Sequence, residues 1–316
     1  MIGAVSMILV EEGLLTLDEP VDRLLPELAN RRVLRRLDGP LDDTVPAHHP
    51  ITVRDLLTFT FGFGMVMEMF TAAERWPVVE AATEARLATI GPPQPDVPPD
   101  PDTWIAAFGR LPLLTQPGDR WLYNTGAHAL SVLLARAAGM PLPEVLRTRL
   151  FEPLGMMDTG FWTAETDRFA TAYAATPDGL TVWDAPDGQW SRPPAFSDGA
   201  AGLVSTADDV LAFGRMLLRG GAPVLSQKAV REMTRDHLTV DQRAGSEAIL
   251  GDRSWGYCVS VLPTGANGWD GGLGASFLVD PARELVIVVL TQRLFETAQV
   301  PQMHTDLQEA AYDIGR

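Results

Sequence analysis

The chain opens on MIGAVSMILVEEG, and this run constrains the fold more than any other part of the sequence. A helix that is apolar all round must be covered by protein on every side. The spacing therefore predicts a buried helix over Met1–Glu12, stopped at Gly13 by a left-handed cap. The run has no basic leader, is followed by Glu11 and Glu12, and shows no small-residue cleavage site, so it does not read as a signal peptide. Helices normally open on a Ser, Thr, Asp or Asn cap. Here the first residue already lies inside the apolar pattern, and we expect the start of the element to belong upstream of Met1.

Covering such a helix takes a large body. The 46% hydrophobic content, with eight Trp and twelve Phe, supplies it and excludes a mostly disordered chain. The formal charge of −16 repels phosphate backbones, and Arg31, Arg32, Arg35 and Arg36 make the one basic cluster, so nucleic acid is excluded as a partner. No run approaches the ~18 to 20 apolar residues of a membrane span, and the expectation is a soluble, cytoplasmic protein. Cys258 is the sole cysteine, and its neighbours in WGYCVSVL predict a buried structural thiol.

Further along, RRVLRRLDGPLDDTVPA turns at Asp38-Gly39 and reads as a short hairpin or irregular arm, and Thr52 caps a short amphipathic helix. The stretch 64–87 is Met-rich and reads as helical; Met65, Met67 and Met69 there suit either an adaptable apolar pocket or core filling. Six prolines in GPPQPDVPPDP make an extended loop. Helices are expected near 103–109, 127–138 and 142–150, and after the Thr206 cap. Three β-rich runs follow, SWGYCVSVLP, GGLGASFLVDP and ELVIVVLTQ, and then a terminal helix over 302–313.

Three features resemble the β-lactamase-related serine hydrolases, which include class C β-lactamases, D-amino-acid peptidases, carboxylesterases and penicillin-binding proteins. They are MILVEEGLLTLDEPV; WLYNTGAHALSVLLARAAG with LFEPLGMMDTGF behind it; and DGAAGLVSTADDVLAFGRMLL leading to GWDGGLGASFLVDP. The resemblance covers residues 1 to about 290, and the order and spacing of the pieces make it specific. It implies an α/β (α+β) β-lactamase/transpeptidase-like fold. An antiparallel sheet flanked by helices would form the core from residues 1–44 and 195–316, with a mostly helical region over 45–194.

The family's nucleophile and base form a Ser-x-x-Lys motif, because residues three apart share one helix face and a partly desolvated Lys can take the Ser proton. This chain has one lysine, Lys228, with Leu225 three residues before it, so it holds no such motif. By register the missing pair belongs just before Met1. The expectation is an N-terminally truncated chain that lacks the first strands of the sheet, is inactive as it stands and tends to self-associate.

The resemblance further assigns Tyr123 to the Tyr-x-Asn proton-relay position. Thr125 then stands where Asn is usual, with Asn124 between them. The site strand reads Trp269-Asp270-Gly271, with Trp as in esterase-like members and the Gly272 N–H as an oxyanion donor. Asn124, Thr125, Trp269, Asp270, Gly271 and Gly272 are thus the implied substrate-binding residues. On residue chemistry alone, Tyr123 after Trp121 and Leu122 reads better as a packed aromatic, and Asp270 reads as well as a solvated turn acid.

Other chemistries find no pattern. The five histidines show no metal-ligand spacing, no G-x-S-x-G elbow or nucleotide-binding glycine pattern occurs, and Ser205 reads as a helix-entry residue. No cofactor or metal is implied. The substrate class implied by the resemblance is a small-molecule ester, amide or β-lactam. The competing class is a non-catalytic relative that keeps the cleft for binding.

Overall fold

The computed structural model describes residues 1–314. Helix α1 (Ile2–Glu11) is buried from Ile2 through Leu9, as its all-round apolarity requires, and Gly13 takes the left-handed conformation at φ 74° just beyond it. Gly3 is fixed by contact, since a Cβ there would sit 2.2 Å from the Tyr257 carbonyl oxygen. An antiparallel arm, β1 (Arg32–Leu34) with β2 (Thr44–Pro46), follows. Then comes α2 (Val53–Leu57), which Thr52 and Asp55 open as a reciprocal capping box.

The expected helical stretch 64–87 is helical over half its length, in two short pieces, Glu68–Thr71 and Pro77–Glu84, rather than one. Its backbone is drawn elsewhere: Met65 pairs with Tyr123, and Pro77 has no N–H to extend a helix backwards. Asp100 caps α3 (Pro101–Phe108). The long α4 (Thr125–Ala138) ends on left-handed Gly139, and the helix expected at 142–150 continues to Leu154 through a wide turn at Arg147–Phe151. A hairpin absent from the sequence reading, β3 (Ala172–Thr176) with β4 (Gly179–Asp184), interrupts the helical region.

After α5 (Ala207–Leu218), capped by Thr206, and α6 (Gln227–Met233), the chain builds an antiparallel five-stranded sheet in sequential order. Its strands are β5 (Ser254–Trp255), β6 (Ser260–Val261), β7 (Asn267–Gly271), β8 (Ala275–Asp280) and β9 (Leu285–Leu290). The run SWGYCVSVLP was expected as one strand. It makes two, because Cys258 adopts φ 53° and folds the segment back on itself. Cys258 is half-buried, and desolvation pushes its thiol up to about 12.

Strand alternation gives the sheet two faces. Trp269, Phe277, Val279 and Val286 join the main core, which contains α1 and α5. Leu278, Ile287 and Val289 form a smaller cluster with Ala311 and Tyr312 of the last helix, α7 (Gln302–Ile314). Among the described residues β9 has a strand neighbour on one side only, and no single helix is long and apolar enough to cross a membrane.

Candidate active site

Tyr123 sits where the chain leaves a loop and enters α4. Its N–H donates to the Met65 carbonyl at 3.1 Å, and its own carbonyl accepts from the Met65 N–H at 2.9 Å, so both its backbone groups are fixed. Around its ring stand Phe59 (6.4 Å between centroids), Trp121 (5.7 Å) and Trp269 (5.3 Å); Trp255 closes the cluster, 5.0 Å from both Phe59 and Trp269. Phe59, Trp121 and Trp255 are buried, whereas Tyr123 and Trp269 are half-buried at its edge.

The Trp269 indole N–H donates to the Tyr123 hydroxyl oxygen at 2.7 Å, joining two residues 146 apart in the chain. Desolvation pushes the Tyr123 phenol up to about 12; the Asp270 charge adds to this, and the Trp269 N–H opposes it. Tyr123 therefore stays protonated at neutral pH. An indole can only donate. It occupies an oxygen lone pair and leaves the phenolic proton free to be given elsewhere.

Beyond Trp269 the strand ends in a glycine turn. The Gly274 N–H donates to the Gly271 carbonyl at 2.9 Å, and the Phe295 N–H to the Gly272 carbonyl at 2.8 Å. In a trans peptide the C=O and the following N–H point in opposite directions. With the Gly271 carbonyl turned into the hairpin, the Gly272 N–H is aimed outward; no described residue accepts from it, and Gly272 is exposed with open space around its Cα.

The other expected site residues lie differently. Asn124 is half-buried at φ 79° in the left-handed region, at the N-cap of α4, and its side chain makes no capping bond. Thr125, expected at the substrate, is fully enclosed, because the first residue of α4 already faces the core; its hydroxyl has no partner there. The Asp270 carboxylate is 6% exposed and is bound to Arg253 at 2.8 Å and Ser276 at 2.5 Å, so it is not a solvated turn acid. The sequence reading missed Phe59, Trp255, Arg253 and Ser276. Arg253 and Ser254 precede the Trp255 of a run read only as strand, and nothing local marks them.

No group of three or more His, Cys, Asp or Glu side chains among the described residues is placed to hold a metal. Lys228 is exposed on α6, which packs near the far end of α1, where the Glu11 carboxylate accepts from the Ser226 N–H at 3.1 Å. A groove of 520 Å³ runs along Val33, Leu34, Leu114 and Arg120 and includes neither Tyr123 nor Trp269.

Comparison with known proteins gives concordant matches. The profile of the Beta-lactamase family matches residues 1–312. An uncharacterized protein of Mycobacterium tuberculosis (strain CDC 1551 / Oshkosh) is 34% identical over 317 residues, covering 92% of this chain and 74% of its own length. Esterase EstB of Burkholderia gladioli is 28% identical over 333 residues, covering 96% of this chain and 77% of its own. Among solved structures, EstCE1, a hydrolase with promiscuous acyltransferase activity, superposes with a TM-score of 0.78 at 25% identity, over 98% of this chain and 82% of its own.

Proposed function

This chain belongs to the Beta-lactamase family, and from that premise we propose that it carries the binding and proton-relay half of an esterase-type acyl-transfer site. The observation that carries this reading is the 2.7 Å bond from the Trp269 indole to the Tyr123 hydroxyl. Transfer of an acyl group from an ester needs a donor for the oxyanion that forms on the carbonyl and a proton for the departing alkoxide. The outward Gly272 N–H suits the first role. The second suits Tyr123, a neutral phenol whose oxygen is already oriented and whose conjugate base is far weaker than an alkoxide. Tyr123 comes from the helical region, residues 45–194, and Trp269 from the α/β core, residues 1–44 and 195–316. We take these as two sub-regions with the site at their junction.

The 316 residues hold no Ser-x-x-Lys, and the one lysine is exposed on α6. The polypeptide of this sequence is accordingly proposed to bind esters without turning them over. Titration of the purified 316-residue protein with ethyl butanoate, followed by tryptophan fluorescence, tests the binding. We expect saturable quenching that weakens about fivefold in Tyr123→Phe, the loss of one net hydrogen bond. Absence of saturable binding overturns the site. Turnover of p-nitrophenyl butanoate, with stoichiometric labelling by a fluorophosphonate, overturns the lack of turnover.

Self-association belongs to the same proposal, because β9 is a six-residue apolar strand with one edge unpaired among the described residues and Leu290 exposed on it. Size-exclusion chromatography over a concentration series should show a species that grows with concentration, and a Leu290→Lys variant should suppress it. A monomer at every concentration removes this part.

A further inference from the structure

The carboxylate of Asp270 is sealed on the rear of the strand whose front carries Trp269, and it is tied there on both oxygens. The Arg253 guanidinium donates to one oxygen at 2.8 Å. The Ser276 hydroxyl donates to the other at 2.5 Å, and the Gln308 amide of α7 donates to the Ser276 oxygen at 2.9 Å. Ser276 is the direct strand partner of Asp270, so the chain Gln308 to Ser276 to Asp270 crosses from the last helix through β8 to β7. The Asp270 side chain is 6% exposed, that of Arg253 is 20% exposed, and Ser276 is buried.

A buried ion pair is a poor device for stability alone, because apolar residues of similar size do as well or better without the desolvation cost. What this pair does uniquely is fix β7 between its two site-bearing residues. Trp269 precedes Asp270, and Gly271, whose carbonyl sets the direction of the Gly272 N–H, follows it. We propose that Asp270, through Arg253, Ser276 and Gln308, is the positioning residue of the site: it holds the Trp269 indole on the Tyr123 hydroxyl and the Gly272 N–H outward from behind the strand. The proposal rests on the esterase-type reading for its purpose, though not for its geometry. The Asp270 charge also disfavours the phenolate of Tyr123, so the same carboxylate helps keep the relay proton in place.

The test reads the Tyr–Trp pair directly and needs no turnover. In ¹H–¹⁵N spectra of the full 316-residue protein, the Trp269 indole resonance is identified by its loss in Trp269→Phe. Exchange of that proton with solvent is then measured in wild type, Asp270→Asn and Gln308→Ala. Exchange should quicken about fivefold in Asp270→Asn, the factor of one net hydrogen bond, with a smaller increase in Gln308→Ala. The Tyr123 phenol, assigned by Tyr123→Phe, should titrate at lower pH in Asp270→Asn. Gln308 is half-buried on a surface helix, so its variant keeps the test usable if Asp270→Asn does not fold. Unchanged indole exchange in folded variants, with only the melting temperature lowered, overturns the positioning role. Ethyl butanoate binding to wild type is measured alongside. Its absence sinks the esterase-type reading and leaves the indole result to stand or fall alone.

Discussion

The two walls of the proposed site are held in different ways. The Tyr123 wall is a stack of rings: Phe59, Trp121 and Trp255 are buried, and their centroids lie 5.0–6.4 Å from one another. The glycine turn beyond Trp269, Gly271 to Gly274, has almost no side chains and is held through carbonyls instead. Gly274 and Phe295 donate to the Gly271 and Gly272 carbonyls, while the Thr291 hydroxyl at 2.9 Å and His304 Nε2 at 3.2 Å bind the Gly274 carbonyl. The difference follows from what each wall presents. A side-chain hydroxyl is aimed by crowding the ring that carries it, whereas a backbone N–H is aimed by fixing the peptide plane. Packing spreads its cost over many atoms, while each hydrogen bond contributes a single increment, so substitutions in the two walls should differ in size.

The largest effect is expected on the aromatic side. Trp255→Ala removes a buried ring that touches both Phe59 and Trp269, and it should lower unfolding stability by about 3 to 5 kcal/mol in urea denaturation. A loss below about 1 kcal/mol would break the contrast, since the rings would then not be what holds Tyr123. Next comes Gly268→Ala, just before Trp269. Its added Cβ would lie 1.9 Å from the Phe277 carbonyl oxygen, pushing β7 off β8, and should cost about 1 to 3 kcal/mol by the same measurement. On the turn, Thr291→Val removes one bond to the Gly274 carbonyl and should cost only about 1 kcal/mol. Its sharper signature is faster amide exchange at Gly274. Equal stability losses for Trp255→Ala and Thr291→Val would erase the distinction between the walls.

Much of this was legible in the chain. The all-round apolarity of α1, the Thr52 and Thr206 caps and the glycine after α4 are local signals, and each sits where it was read. The family resemblance pairs Tyr123 with Trp269, and the two side chains do meet, a contact no local pattern could foretell because 146 residues separate them. What stayed hidden depends on tertiary context. The β3–β4 hairpin lies in a segment with weak alternation, exposed on most of β4. Asp270 reads as a turn acid until β8 supplies Ser276 opposite it and Arg253 reaches it from outside the strand. Thr125 holds the place of the family's Asn by resemblance, yet the start of α4 turns it into the core.

The smallest expected effect isolates the one bond that joins the two walls. Tyr123→Phe keeps the ring in the aromatic stack and removes only the oxygen that accepts from Trp269. At neutral pH the cost should be under about 1 kcal/mol, because the half-buried indole N–H can take a water instead. The pH dependence is more telling. In the unfolded chain a Tyr ionises near its ordinary value of 10, whereas the folded Tyr123 holds its proton to about 12. The neutral form is thus favoured by folding, and the contribution of Tyr123 is fully present below pH 10 and lost as pH rises through 12. The stability difference between wild type and Tyr123→Phe should therefore shrink and then reverse between pH 10 and 12, while Tyr257 and Tyr312, also shifted upward, occur in both proteins and cancel. Urea denaturation of the pair at pH 9, 10 and 11 measures it. A difference that is flat across this range would mean that the Tyr123 hydroxyl is as well solvated in the folded chain as in the unfolded one, and that the aromatic wall does not shield the proton it presents.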